Sequence, residues 1–490
     1  MLASKSKYDV VIIGAGLSGS AAAAEAGLHH LSTLVVEKGR TIGGTGNYVE
    51  GVFAVNSRLQ KAKNSQLTPT KIYNEEKEWT HSLANMAVWR DYIKHSAENV
   101  DWLNEHGATI TTMRTLGTGY DTWHLFDGHG KSAINNGLIP TAKKNGVEVI
   151  TSAAAQSLRL DNQGHISGLE ILDYDTKKAQ FIQADNIIIA TGGYLNNSKM
   201  LDSNNNHTSH RIVAVNSGKN TGDGLRLAWS VGAKKFGMGT IMMFGGQVFD
   251  TKEPGYKNWM RQSNRAATHE AGLWVNELGE RFANEDCTDI WAIAGNNLIR
   301  QEKVFAIFDQ AQIDELTKHS FKGNYVYDHL KEDIQTDLAE QKNYLTVADS
   351  ISELAANLHL PKLVESVEHY NDLVQKKDDT DFYKDAKYLR KIQTGRIYAF
   401  ELGVGAFCTM GGLRTDTSNG VLDNNGQHIH GLYAIGSDGS SVLVGDTYGV
   451  NVPGSEAGYC IYSGRNAIKS IIKNKNILYP DLKLKCNTKC

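Results

Sequence analysis

Three glycines and one carboxylate near the start of the chain carry the clearest chemical signal. Gly14, Gly16 and Gly19 form a Gly-x-Gly-x-x-Gly run, and Glu37 lies eighteen positions beyond Gly19. Glycines without side chains let backbone N–H groups and a helix N-terminus approach a pyrophosphate, and a carboxylate at that separation takes ribose hydroxyls. The glycines alone would fit any tight turn, and Glu37 alone any solvated side chain. Together they point to a bound dinucleotide.

Such a grip needs a strand before the turn and a helix after it. The run from Asp9 to Ile13 predicts a strand, the Ala-rich segment Ser20 to Leu28 a helix, and Thr33 to Val36 a second strand, which opens a parallel sheet with a crossover helix. Short alternating segments between about Gly146 and Ile189, interrupted by Asp161-Asn162-Gln163-Gly164, predict a hairpin, and Asn186 to Ala190 a buried strand. From about Gly237 to Phe400 the composition shifts towards aromatic and charged residues, with helical periodicity over Ala348 to Lys376. Gly-rich strand and turn sequence then returns, ending in a helix around Ser455 to Ile472. The expected division is a cofactor-binding domain over 1–238 and 403–490, with a capping domain over 239–402.

Composition narrows the partners. A net charge of -3 on 51 basic and 54 acidic residues provides no broad basic field for nucleic acid or an anionic membrane surface. No apolar run reaches bilayer length, and Met1 to Lys7 leads into a strand without an apolar signal region, so a cytoplasmic protein is expected. The five cysteines are odd in number and scattered, which fits a reducing compartment. There is no Cys-x-x-Cys-His for a c-type haem, and no metal site is expected.

Four further patches make the dinucleotide specific: Gly43-Gly44-Thr45-Gly46, Ala190-Thr191-Gly192-Gly193, Thr221-Gly222-Asp223-Gly224 and Gly431-Leu432-Tyr433-Ala434-Ile435-Gly436. With Cys408-Thr409-Met410-Gly411-Gly412 and Lys377-Asp378-Asp379-Thr380-Asp381-Phe382, the chain resembles, over nearly its whole length, the flavoprotein subunits of fumarate reductase and succinate dehydrogenase, including L-aspartate oxidase and soluble ene reductases. The resemblance implies an α/β fold: a Rossmann-like FAD-binding domain formed by both chain ends, with an inserted α+β capping domain. It implies FAD extended across the first domain, with Gly14, Gly16, Ser18, Gly19, Glu37, Lys38, Gly44, Thr45, Gly46, Gly51, Ala154, Thr191, Gly192, Asp223 and Gly436 near it. Ser437 or Asp438, Asn451 and Val452 would lie near the isoalloxazine ring. Members that attach FAD covalently use a histidine just after the second glycine pair; Thr45 to Gly51 contains none, so the resemblance implies non-covalent FAD.

The family's dicarboxylate-binding set is not reproduced. Two fixed histidines and two arginines hold fumarate there, because two carboxylates need cations to leave water. Cys408 stands at the histidine before Thr-Met-Gly-Gly, and Thr447 at the arginine of the family's Asn-Arg-Leu-Gly-Gly-Asn stretch. The proton-donating arginine after Arg281 to Glu285 falls on Asp289, and the relay glutamate on Arg265. This exchange suggests an Arg265–Asp289 pair; Asp289 equally suits the cap of a helix through Trp291. Tyr120, Trp123, His124 and Phe126 precede the Gly128-x-Gly130 turn that borders substrate in the family, although such aromatics also build ordinary core.

The expected activity is therefore reduction of an activated alkene that is neutral or aromatic, such as a vinylphenol or hydroxycinnamate, and not fumarate. Candidate catalytic residues are Tyr448, Asp289, Arg265 and Cys408, with Asp289 or Tyr448 as acceptor of a phenolic proton. Cys408 also fits plain packing beside flavin. The alternatives are a ketone-desaturating dehydrogenase of the ketosteroid type and the flavoprotein subunit of an electron-transfer complex. Only one dinucleotide motif is evident, so NADH, NADPH or reduced flavin would supply electrons transiently.

Overall fold

The computed structural model describes residues 2–115, 119–204, 209–318, 326–449 and 451–478. The opening strand is Lys7–Ile13, followed by helix Leu17–Leu28 and strand Thr33–Val36. The helix begins three residues earlier than its Ala-rich sequence suggests. Its N-cap is Gly16, which has no side-chain oxygen to offer the first amides.

Contacts divide the chain into two compact units. The first comprises Met1–Asn204, Asn216–Ile241 and Cys408–Cys490, the second Asn205–Val215 and Met242–Phe407. The stretch ending at Val215, expected with the cofactor domain, falls in the second unit because strand Ile212–Ala214 pairs in parallel with Val404–Ala406. The passages between units lie at 241/242 and 407/408 rather than 238/239 and 402/403. Strands Ile241–Val248 and Ile397–Thr409, which pair with one another, run that far.

In the first unit the main sheet runs, in spatial order, Gly420–Leu422, His428–Ala434, Ala179–Ile189, Lys7–Ile13, Thr33–Val36 and Glu148–Ile150. All neighbours from His428–Ala434 to Glu148–Ile150 are parallel, with Val10 beside Thr33 and Ile188 beside both Ile12 and Tyr433. Parallel strands covered on both faces need unbroken apolar runs, and Val10 to Ile13 and Ile187 to Ile189 supply them. The hairpin at Asp161–Gly164 joins Ala153–Leu160 to Ile166–Asp173, which pairs with Ala179–Ile189.

The last helix, Ser455–Leu478, packs against Leu17–Leu28. Ala21 to Ala24 keep the earlier helix thin, and a Cβ at Gly464 would meet the Ser18 carbonyl oxygen at 2.7 Å. Small residues at the crossing let the two backbones approach closely. Residues more than four hundred positions apart thereby share one core, with Ala22, Ala26, Ile188, Tyr433 and Ile468 in a single apolar cluster.

The second unit is built on strand Ile397–Thr409, flanked by Ile212–Ala214 and antiparallel Val304–Asp309, with Leu273–Asn276 beyond. The helical periodicity over Ala348 to Lys376 resolves into two helices, Ile351–Leu358 and Leu363–Lys376. His359 ends the first with a φ of 57°, and Pro361 cannot continue it. The Arg281–Glu285 stretch and the Lys377–Phe382 run meet in this unit. Arg281 reaches Glu285 (2.9 Å) and Asp379 (2.7 Å), and Lys384 lies 3.2 Å from Glu285. Burial pushes the Glu285 carboxyl up, but Lys384 and Arg281 overcome it and hold the group low.

Candidate active site

The three glycines of the opening turn do different work. A Cβ at Gly14, whose φ is +111°, would stand 2.2 Å from the Ala190 carbonyl oxygen, and one at Gly19 would stand 2.0 Å from that of Gly14. Both are bare because protein backbone occupies the space. At Gly16 the nearest atom to a Cβ, among those compared, is the Gly43 carbonyl oxygen at 3.8 Å. The fold itself does not require that gap, and it lies at the uncapped start of a helix, where an anion is favoured.

Glu37 is buried, and its two oxygens accept from the Ala15 N–H (3.0 Å) and the Gly39 N–H (2.7 Å). Each carboxylate oxygen has a further acceptor site, which suits a pair of ribose hydroxyls. Lys38 is ion-paired with Asp223 and donates to Thr221 (2.7 Å). Asp223 also holds Arg226 at 2.7 Å, so both predicted cofactor residues belong to one charged cluster.

All four glycine patches are tied together. Thr45 Oγ1 donates to Asn220 Oδ1 (2.9 Å), and the Asn220 amide donates to the Gly192 carbonyl. The Asp438 carboxylate accepts from the N–H groups of Thr191, Gly192 (3.0 Å) and Gly193 (2.9 Å). Asp438 is fully buried; burial pushes its carboxyl up, against the three amides that favour the charged form. Its oxygens are directed onto the Thr191–Gly193 turn. Half-buried Ser437 is the neighbour that keeps exposed surface, and it donates to Glu456 (2.9 Å).

The remaining predicted cofactor residues occupy the same unit. Ser18 is buried in the first helical turn, where a Cβ at Gly436 would meet its Oγ at 2.6 Å. Gly44 and Gly46 belong to the short helix Gly44–Tyr48 that faces this turn; a Cβ at Gly46 would meet the Leu17 nitrogen at 2.7 Å. Gly51 lies in a strand pressed against His124, and Ala154 follows Ala153, whose N–H donates to the Glu37 carbonyl (3.0 Å). Val452 is buried. Asn451 donates its amide to Glu75 (2.8 Å), which also accepts from Tyr120 (2.8 Å).

Sequence reasoning missed Glu75, Asn220 and Glu456. Asn220 directly precedes the Thr221–Gly224 patch and could have been included with it. The two glutamates lie in ordinary helical sequence and carried no local signal. Burial raises the Glu456 carboxyl to about 7, and burial with the neighbouring Glu75 raises Glu76 to about 8.

Tyr448 and Cys408 both belong to the first unit, near enough for each other's charge and that of Glu456 to bear on them. Tyr448 is 3% exposed, and burial raises its phenol despite a hydrogen bond with Ser455. It therefore holds its proton at neutral pH. Cys408 is buried in the first unit, and burial together with the nearby Glu456 keeps it a thiol. Arg265 and Asp289 both belong to the second unit. The Arg265 guanidinium lies 3.4 Å from the Met260 sulfur, while the side chain of Asp289 falls outside the described residues. The N-cap position of helix Trp291–Ile299 is Ile290.

Of the aromatics before Gly128, His124 and Phe126 are core. His124 is fully buried between the Ser57 hydroxyl (2.7 Å) and the Thr122 carbonyl (2.9 Å), and burial depresses its basicity. Tyr120 and Trp123 remain half-buried. The turn itself packs on the cofactor segment, because a Cβ at Gly130 would meet the Gly46 carbonyl oxygen at 2.0 Å.

A family model described as an FAD binding domain matches residues 9–447. The chain is 42% identical to the vinyl phenol reductase of Lactiplantibacillus plantarum, over 95% of this chain and 96% of that one. It is 27% identical to the NADH:fumarate oxidoreductase of Klebsiella pneumoniae, matching 93% of this chain but 46% of that longer protein. Among solved structures it is similar to the 3-ketosteroid delta1-dehydrogenase of Sterolibacterium denitrificans, with a TM-score of 0.78 at 19% identity over 96% of this chain and 100% of that one.

Proposed function

The chain belongs to this FAD-binding flavoprotein family, and from that premise we propose that it is an FAD-dependent reductase of an activated carbon–carbon double bond in a small neutral or aromatic substrate, of the 4-vinylphenol kind. The observation that carries this reading is the 42% identity to a vinyl phenol reductase across nearly all of both chains. Cys408 and Thr447, at positions where the resemblance implies dicarboxylate-binding cations, agree with it.

When bound, FAD supplies the hydride for one alkene carbon. The gap at Gly16 and the uncapped helix start accommodate its diphosphate, and Glu37 takes the ribose hydroxyls. Asp438 holds the Thr191–Gly193 turn, and Glu75 orients Asn451. With no histidine between Thr45 and Gly51, the flavin is dissociable. Tyr448, kept protonated by burial, is the proton donor we assign to the second alkene carbon. NADH, NADPH or reduced free flavin serves as electron donor. No helix among the described residues is long and apolar enough to cross a membrane.

Anaerobic reoxidation of the photoreduced holoprotein tests the reading directly. 4-Vinylphenol should return the oxidised flavin spectrum and yield the ethylphenol, while fumarate should not. Reoxidation by fumarate with no response to any neutral or aromatic alkene would overturn it. Formation of an unsaturated ketone with an artificial acceptor would instead favour the dehydrogenase direction.

A further inference from the structure

The last helix opens with Ser455 and Glu456, and both are buried in the first unit. Glu456 is 5% exposed. Its Oε1 accepts from the Ser437 hydroxyl at 2.9 Å, while Oε2, equally buried, has no hydrogen-bond partner among the described residues. A buried carboxylate with one oxygen unpaired is costly, whereas the carboxylic acid carries no charge and has an O–H to give. Burial raises the group to about 7 against the pull of the Ser437 and Ser440 hydroxyls, and the Asp438 charge adds to the rise.

The groups that face Glu456 come from several elements of the same unit. Asp438 lies in the turn Gly436–Asp438, Cys408 in strand Ile397–Thr409, Tyr92 in helix Met86–Glu105, and Tyr459 and Cys460 on the helix of Glu456 itself. All are acids, and no cation stands among them to hold a carboxylate. Tyr448 completes the set, and Glu76 of helix Pro69–Trp79 bears on it as well. The Tyr448 phenol shares a hydrogen bond with the side chain of Ser455, the residue directly before Glu456. The Tyr92 hydroxyl donates to the Ser455 carbonyl (2.9 Å), which fixes the residue that links the two groups. With 3% of its surface exposed, a Tyr448 that has given its proton away is poorly served by solvent.

We propose that Glu456, held through Oε1 by Ser437 and free at Oε2, is the internal acid that returns a proton to Tyr448 after each turnover. The assignment rests on the reductase reading above, with Tyr448 as its donor, and adds the step that resets that donor. The Tyr448 O–H bond breaks as the alkene carbon gains its proton, leaving a tyrosinate. The Glu456 O–H bond then breaks and the tyrosine O–H re-forms, leaving a carboxylate. Half-buried Ser437 joins that carboxylate to the surface, donating its own proton while accepting one from water. No electrons move in these steps. Glu456 acts through Tyr448 and is a positioning residue in this sense.

The test compares wild type, Glu456→Gln and Glu456→Asp as holoenzymes. The first turnover is read as return of the oxidised flavin spectrum when the photoreduced protein meets 4-vinylphenol, and later turnovers as ethylphenol formed with excess dithionite. Tyr448 starts protonated in every variant, so the first turnover of Glu456→Gln should stay within about twofold of wild type. Its later turnovers should slow about tenfold or more, giving a burst, and should lose their pH dependence. In the wild type the steady rate should fall as pH rises through about 7, and the infrared band of a carboxylic acid should fade over the same range. Equal slowing of first and later turnovers, or a pH profile of Glu456→Gln that matches wild type, would overturn the relay and leave the reductase reading intact. Should Glu456→Gln fail to bind flavin, Glu456→Asp decides: a rate that falls at the pH where its own carboxyl band fades supports the relay, and one that does not overturns it. A wild type reoxidised by no neutral or aromatic alkene would end the reductase reading and the relay together.

Discussion

At the residue scale, the opening turn separates what the fold needs from what the ligand needs. Gly14 and Gly19 are excluded from carrying a side chain by backbone oxygens at about 2 Å, whereas Gly16 has open space. Gly14→Ala should therefore lower the melting temperature, with a cost of about 1–3 kcal/mol from strain at positive φ and the clash. Gly16→Ala should melt like the wild type but bind FAD at least tenfold more weakly, as measured by flavin fluorescence titration. Equal stability losses in both would remove the distinction. Cys408→Ala should keep turnover within about twofold of wild type, since a buried neutral thiol contributes packing and not chemistry.

At the element scale, the first strand, helix and second strand were readable because apolar period, glycine spacing and a carboxylate agree there. What joins the elements was not readable. Asp438 looks like a turn residue in sequence, yet it is the carboxylate that holds three amides some 245 positions away. Arg281 and Asp379 were both noticed as landmarks, but nothing local couples residues 98 apart. Asp438→Ala should leave buried N–H groups unpaired, costing about 3 kcal/mol or more, and should weaken FAD binding in parallel. Denaturant unfolding and flavin titration would check both; retained stability would remove Asp438 from this role.

At the scale of the whole molecule, the buried ion cluster of the second unit sets an acid limit. Burial would raise the Asp379 carboxyl, but Arg281 and the Lys384 N–H hold it at about 2. A carboxyl depressed in the folded state contributes stability above its unfolded pKa of about 4, and that contribution is lost as pH falls from about 4 through 2. The wild type should thus lose melting temperature on acidification through this window more steeply than Asp379→Asn, which should already be less stable at neutral pH. Parallel pH profiles for the two proteins would exclude the cluster as a source of acid sensitivity.

The closure of one core by distant helices also governs how the protein is made. The whole second unit is synthesised before His428–Ala434 and Ser455–Leu478. Helix Leu17–Leu28 must wait roughly 430 residues for its partner, which at about 5–20 residues per second is roughly 20–90 s of translation with an alanine face uncovered. The interior segment can mature vectorially while the nucleotide-binding half stays open. Chaperone demand should therefore fall on the amino-terminal part of the nascent chain until that last helix is made.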